Sequence, residues 1–213
     1  MTPPRIICFD LGGVVVRICR SWQEACDRAG IPTNGRTDPS HLESCLHATM
    51  LYMAGQIDCE ALWSSISEAT GGDYAPDEVE AVHRVWVLDD YPGIADLIAQ
   101  INASPALTSA CLSNTNHAHW QPLVSGDAPS EAILRIEHKL VSHEMKAVKP
   151  QEQIYRDAER LLAAAPHELL FFDDTPENVE MARVLGWRAE HIDHAGDTAA
   201  QVTAHLKSHG VEL

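Results

Sequence analysis

Five side chains in this sequence carry charge or a nucleophilic oxygen next to an apolar run or a helix start. Asp10 follows Ile6-Ile7-Cys8-Phe9, Ser113 follows the run 107–112, and Asp173 and Asp174 follow Leu169-Leu170-Phe171-Phe172, while Lys149 precedes Pro150 and a helical pattern. An apolar run this short, stopped by a polar residue, reads as a strand buried on both faces. In an open parallel sheet the carboxyl ends of such strands share one edge, where ligands bind. A carboxylate at that edge can serve as nucleophile, metal ligand or both. Two adjacent carboxylates after a buried strand cost desolvation and mutual repulsion unless a cation meets them. Hard oxygen donors suit Mg2+. The set fits phosphoryl transfer: Asp10 would attack phosphorus and carry an aspartyl-phosphate, and Asp10 with one or both of Asp173 and Asp174 would ligate Mg2+. Ser113, Asn114 and Lys149 are the candidate substrate-binding residues. Ser113 and the backbone N–H groups of the following helix would hold the transferring group, and Lys149 would neutralise charge as the transition state forms.

The elements that must position these residues can be read from the periodicity. Between about residue 17 and residue 88 the pattern is helical: Leu42, Cys45, Leu46, Met50 and Met53 share one spacing. Leu62, Ile66 and Ala69 precede the stop Thr70-Gly71-Gly72, and Val79, Val82 and Trp86 follow the start Pro76-Asp77-Glu78. Pro32, Asn34, Gly35 and Pro39 mark a loop within this insert. From Asp89 strands and helices alternate. Helices are expected after Pro92, over 116–124, after Lys149-Pro150, from Thr175-Pro176 to Gly186 and over 198–208. Strands are expected over 107–112, around Leu140 and Val141, over 169–172 and over 187–192. Such alternation implies right-handed crossovers and a doubly wound parallel sheet. The expected architecture is an α/β core of residues 1–16 and 89–213, with a helical cap of residues 17–88 inserted after the first strand.

The 213 residues carry 45% apolar and 22% charged side chains, enough for a sizeable core. A net charge of -16 repels phosphate backbones and anionic lipid, arguing against nucleic-acid and membrane partners. A small anionic substrate would therefore need a metal or a lysine at the site. The six cysteines show no metal-ligand spacing, and Cys8 and Cys111 fall inside apolar runs, as expected for reduced thiols. No stretch reads as a secretory leader or a membrane span, so a cytoplasmic monomer or homodimer is expected.

Phe9-Asp10-Leu11-Gly12-Gly13-Val14, Leu112-Ser113-Asn114-Thr115-Asn116, Lys149-Pro150 with Ile154-Tyr155, and Phe171-Phe172-Asp173-Asp174-Thr175-Pro176-Glu177-Asn178 resemble, in order, the four motifs of the haloacid dehalogenase superfamily. The wording of the motifs is most similar to the branch of alpha-D-glucose-1-phosphate phosphatases. The resemblance implies that Asp10 is the nucleophile, Ser113 and Lys149 bind the transferring group, and Asp173 and Asp174 serve Mg2+. It also implies that the main-chain carbonyl of Gly12 is a metal ligand. Phosphatases of the superfamily usually carry a second Asp two positions after the nucleophile as general acid and base, and here that position is Gly12. Losing general acid catalysis costs about 10^2 to 10^4 in rate, although the similar branch also has Gly there. Two other functions compete with a Mg2+-dependent phosphatase acting on a small phosphorylated metabolite. One is a metal-independent 2-haloacid dehalogenase, which the acidic pair argues against; the other is a phosphate-binding or regulatory module with little turnover. Arg17, Arg20, His117 and His119 lie near the motifs and could contribute charge or a proton, with a surface role the favoured reading of each.

Overall fold

The computed structural model describes residues 3–33 and 39–213, the side chains of 39–43 excepted. The chain opens with β1 (Ile6–Phe9) and leaves through β2 (Val16–Ile18) into four helices, α1 (Trp22–Ala29), α2 (Pro39–Met53), α3 (Cys59–Ala69) and α4 (Pro76–Arg84). It returns by β3 (Val87–Asp90) and then alternates through α5 (Ile94–Ala103), β4 (Thr108–Ser113), α6 (His117–Ser125), α7 (Glu131–Arg135), β5 (His138–Val141), α8 (Ser142–Met145) and α9 (Glu152–Leu161). The last elements are β6 (Leu169–Asp173), α10 (Pro176–Val184), β7 (Arg188–His191) and α11 (Thr198–Ser208).

The main sheet has the order β5-β4-β1-β6-β7, and every neighbouring pair in it is parallel. Both faces are covered, which is why its strands read as continuous apolar runs. Ile7 and Phe9 join Cys111, Leu170 and Phe172 beneath α5, α6, α7 and α11, whereas Ile6 and Cys8 join Ala110, Leu112 and Phe171 beneath α9 and α10. The period of two along β1 thus feeds two separate cores. The chain fills the sheet outward from β1 through β4 to β5, then crosses back to β6 and β7. The switch point lies between β1 and β6, where Phe9 pairs with Phe172, and this is the crevice where open α/β sheets bind ligands.

The segment between β2 and β3 has a hydrophobic cluster of its own, including Cys26, Tyr52, Leu62, Trp63, Ile66, Tyr74, Val79 and Val82. Side-chain caps set two of its helix starts: Ser21 accepts from the Glu24 N–H, and Asp58 from the Ala61 N–H. The expectation that residues 17–88 are helical throughout needs correction at both ends. Val16 pairs with Asp90 and Ile18 with Val87 in an antiparallel two-stranded ribbon. A three-residue strand whose partner lies some seventy residues away has too little local periodicity to stand out. Pro39 opens α2, a position suited to proline; Asn34 and Gly35 of the expected loop, and the side chain of Leu42, lie outside the described residues. The short helices α7 and α8 flank β5, in a stretch where only the strand at Leu140 and Val141 was expected.

Candidate active site

The structure brings Asp10, Ser113, Lys149, Asp173 and Asp174 to the carboxyl edge of the sheet, on the two sides of the switch point. Asp10 directly follows β1, where its N–H donates to the Phe172 carbonyl at 2.7 Å. Ser113 ends β4 and is buried, and its side chain helps to lower the pKa of the Asp10 carboxyl. Lys149 enters from the loop before α9, with its side chain only 1% exposed. Its Nζ lies 2.6 Å from Asp173 Oδ2 and 3.0 Å from Asp10 Oδ1, and 5.1 Å from the centre of the Phe171 ring.

Burial of this cluster sets its electrostatics. Burial pushes the Asp10 carboxyl above the ordinary carboxylate range, with the Lys149 ammonium pulling it down and Asp173 adding to the rise. For Lys149, burial opposes the charge, but Asp10 and Asp173 outweigh it and hold the ammonium above its usual value. Asp173 is fully buried and fully occupied. Its Oδ1 accepts the Thr175 N–H at 2.8 Å, Oδ2 receives Lys149, and Asn178 Nδ2 lies within 3.2 Å of both oxygens. Asp174 is differently placed. Its side chain is 9% exposed, and its Oδ2 takes Arg20 Nη1 at 2.7 Å with His194 Nδ1 at 3.8 Å.

Carboxylate oxygens of Asp10, Asp173 and Asp174 all lie within 4.8 Å of one another. Asp10 Oδ1 is buried and accepts no well-aligned hydrogen bond despite the nearby ammonium. An orphaned buried carboxylate oxygen beside two further hard oxygen donors fits a divalent cation such as Mg2+. Because Asp173 is committed to Lys149 and Asn178, Asp174 and Asp10 offer the freer oxygens. Gly13 makes room for this cluster: its φ is +85°, and a Cβ there would meet Asp174 Oδ2 at 2.2 Å and Arg20 Nη2 at 2.6 Å.

Several residues reach the site in roles that differ from those expected. Asn114 Nδ2 donates to the Lys149 carbonyl at 2.9 Å and its Oδ1 accepts the Lys149 N–H at 2.8 Å, so both ends of the amide hold the Lys149 main chain. Arg20, read as a surface residue, pairs with Asp174 at the site edge. His119, also read as a surface residue, is buried, and its Nε2 lies 3.2 Å from His83 Nδ1 on α4. The His119 N–H donates to Asn116 Oδ1, which leaves Asn116 Nδ2 to donate to His119 Nδ1 at 3.1 Å. That assigns the Nε2 proton of His119 to His83. Burial keeps both rings neutral, pushing His83 down to about 3 and His119 to about 4. Arg17 and His117 are exposed, as expected.

Sequence reasoning gave no role to Asn178, His83, Tyr52 or His194. Tyr52 on α2 accepts the Ala118 N–H at 3.1 Å, so a side chain from the helical segment satisfies a free donor at the start of α6. Asn178 had a signal, since it lies in the fourth motif one turn into a helix that starts beside Asp173. The other three had none in the local pattern.

Residues 4–186 match the haloacid dehalogenase-like hydrolases, and the chain belongs to that family. The chain is 36% identical over 74 residues to phosphatase MT3486 of Mycobacterium tuberculosis; the match covers 35% of this chain and spans only about a third, 34%, of that relative's length. Among solved structures, the haloacid dehalogenase family enzyme bt-2542 of Bacteroides thetaiotaomicron superposes with a TM-score of 0.77 at 21% identity, over 94% of this chain and 99% of that one. A predicted HAD-like family hydrolase of Porphyromonas gingivalis gives 0.76 at 23% identity, over 97% and 99%. These two likenesses establish the fold. Among the described residues, no helix is long and apolar enough to cross a membrane.

Proposed function

We propose that the protein is a Mg2+-dependent phosphatase that hydrolyses a small phosphorylated metabolite through an aspartyl-phosphate on Asp10. The observation that carries this reading is the convergence of Asp10, Lys149 and the acidic pair at one sheet edge, with carboxylate oxygens within 4.8 Å of one another. An Asp10 oxygen forms a bond to phosphorus while the bond from phosphorus to the leaving oxygen breaks. Water then attacks the phosphorus of the acyl phosphate and returns the Asp10 carboxylate with inorganic phosphate. Lys149 holds positive charge beside Asp10 throughout, and Ser113 donates toward the transferring group. When bound by Asp10, Asp174 and the Gly12 carbonyl, Mg2+ would supply the charge that lets a phosphate approach three carboxylates. Asp173 orients Lys149, and Asn114 fixes the main chain that carries it.

Supporting the reading, the bt-2542 enzyme has been solved with magnesium and inorganic phosphate, and MT3486 is named a phosphatase. Gly12 offers no side chain for proton transfer, so leaving groups that depart without strong protonation, glycosyl phosphates among them, suit the site. That agrees with the glucose-1-phosphate phosphatase wording of the motifs. In this reading residues 17–88 form a cap that covers the site, with Tyr52 and His83 as its contacts to α6. The six cysteines are free, as in a reducing cytoplasm. The test is phosphate release from a panel of phosphate monoesters. Turnover with Mg2+, its loss in EDTA and its loss in Asp10→Asn are expected. Halide release from 2-haloacids in EDTA would reinstate the dehalogenase instead.

A further inference from the structure

A cavity of about 910 Å³ lies against the β2–β3 ribbon, lined by Arg17 and Ile18 of β2 and by Val87, Leu88 and Asp89 of β3. That volume falls in the range of small-molecule sites. The chain as a whole is strongly acidic, with 15 Lys and Arg against 31 Asp and Glu, yet in the lining of this cavity Arg17, Arg20 and Arg28 outnumber the carboxylates Glu24 and Asp89. Ile18, Val87 and Leu88 give it apolar wall. It is joined to the acidic cluster through its lining, because Arg20 donates to Asp174 Oδ2 at 2.7 Å and His194 Nδ1 lies 3.8 Å from the same oxygen. Tyr91, also in the lining, donates its hydroxyl to the His194 carbonyl at 2.8 Å.

Two of the arginines are held by exposed partners. Arg17 pairs with Asp89, whose side chain is 88% exposed, and Arg28 Nε lies 3.4 Å from Glu24. Exposed pairs of this kind are weak. Arg20 is 35% exposed and uses Nη1 on Asp174, out of five N–H donors in the guanidinium. A divalent cation on the acidic cluster would share Asp174 with Arg20, and two cations on one carboxylate repel. Arg20 then has the cavity to turn into, and its charge calls for an anion there.

We propose that this cavity is a second anion subsite. In it Arg20 and Arg17 bind a carboxylate or second phosphate on the leaving part of the substrate. The inference rests on the phosphatase reading and narrows its substrate class to phosphate esters bearing another anionic group.

Two measurements test it. The first is the Mg2+ dissociation constant of the substrate-free protein by calorimetry. Arg20→Gln frees Asp174 and is expected to bind Mg2+ roughly tenfold more tightly than the wild type, since hydrogen bonds between charged groups are worth about that much. Unchanged or weaker Mg2+ binding would overturn the competition. The second compares matched esters: 2-phosphoglycolate against ethyl phosphate, and fructose 1,6-bisphosphate against fructose 1-phosphate. These pairs separate a carboxylate from a second phosphate as the recognised group. Selectivity is read as kcat/KM where an ester turns over, and as a calorimetric dissociation constant with Mg2+ where it does not. Failure of hydrolysis therefore leaves the subsite testable by binding. The wild type is expected to favour the anionic member of at least one pair by about tenfold. Arg17→Gln and Arg20→Gln are expected to reduce that preference to within about threefold, mainly through KM. No preference in the wild type, or a preference that survives both substitutions, would overturn the subsite.

Discussion

Replacing Lys149 by Met removes the one ammonium that stands between two buried carboxylates. The side chain is 1% exposed, and its Nζ lies 2.6 Å from Asp173 and 3.0 Å from Asp10. Met fills similar volume, so the change is mainly one of charge. Removing one partner of a buried pair typically costs about 3–5 kcal/mol, because the other charge stays buried without compensation. At roughly 2–4 °C per kcal/mol for a chain of this size, the melting temperature should fall by about 6–20 °C. The cost should depend on pH, with a definite sign. Burial and Asp173 already raise the Asp10 carboxyl, and Lys149 is the main influence pulling it down. Without Lys149 its folded-state pKa moves further above the unfolded value near 3.9. A group raised in this way contributes stability that is present at low pH and lost as pH rises through the folded pKa. The deficit relative to wild type should therefore be smallest below the unfolded value near 3.9 and should grow as pH rises through the raised folded value. Added Mg2+ should stabilise the variant more than the wild type, since a cation replaces the missing charge. Urea unfolding at several pH values, with and without Mg2+, measures all three effects. A deficit that is flat with pH, or below about 1 kcal/mol at neutral pH, would refute the view that Lys149 is the counter-charge of this cluster.

Gly13→Ala puts a methyl group 2.2 Å from Asp174 Oδ2 at a positive φ, so the Asp174 carboxylate must move. Calorimetry should show Mg2+ binding weakened by tenfold or more, with roughly 1–3 kcal/mol lost in stability. Asn178→Ala leaves the buried Asp173 carboxylate with fewer donors and should cost about 1–3 kcal/mol in urea unfolding, together with a fall in kcat. His83 and His119 are held neutral, at about 3 and about 4, against an ordinary value near 6.5. The unfolded chain binds more protons in that window, so stability should decline as pH falls from about 6.5 toward 4, by up to about 1.4 kcal/mol per pH unit for each ring. In His83→Gln the decline should be shallower.

The parts of the site that sit at strand ends were legible in the sequence. Asp10, Ser113 and the Asp173–Asp174 pair each terminate an apolar run, and burial on both faces makes those runs conspicuous. Lys149 announces itself through the proline and helix that follow. What escaped depends on contacts between distant segments. The strand Val16–Ile18 exists because Val87–Asp90 comes back to pair with it, and three residues cannot carry a period. His119 lies in the polar-looking string His117-Ala118-His119-Trp120 and is buried where α4 brings His83 against it. Arg20 has no neighbour in sequence that marks it; its partner Asp174 lies 154 positions away. Asn114 was read toward substrate because it adjoins Ser113, while the fold spends both ends of its amide on Lys149.

In the proposed reaction Asp10 takes the phosphoryl group itself. Rapid acid quench of the protein with 32P-labelled acetyl phosphate and Mg2+, followed by peptide mapping, tests this directly. An alkali-labile label is expected on the peptide containing Asp10, absent in EDTA and absent in Asp10→Asn. Phosphate release that proceeds with no labelled protein, or that persists in Asp10→Asn, would contradict it.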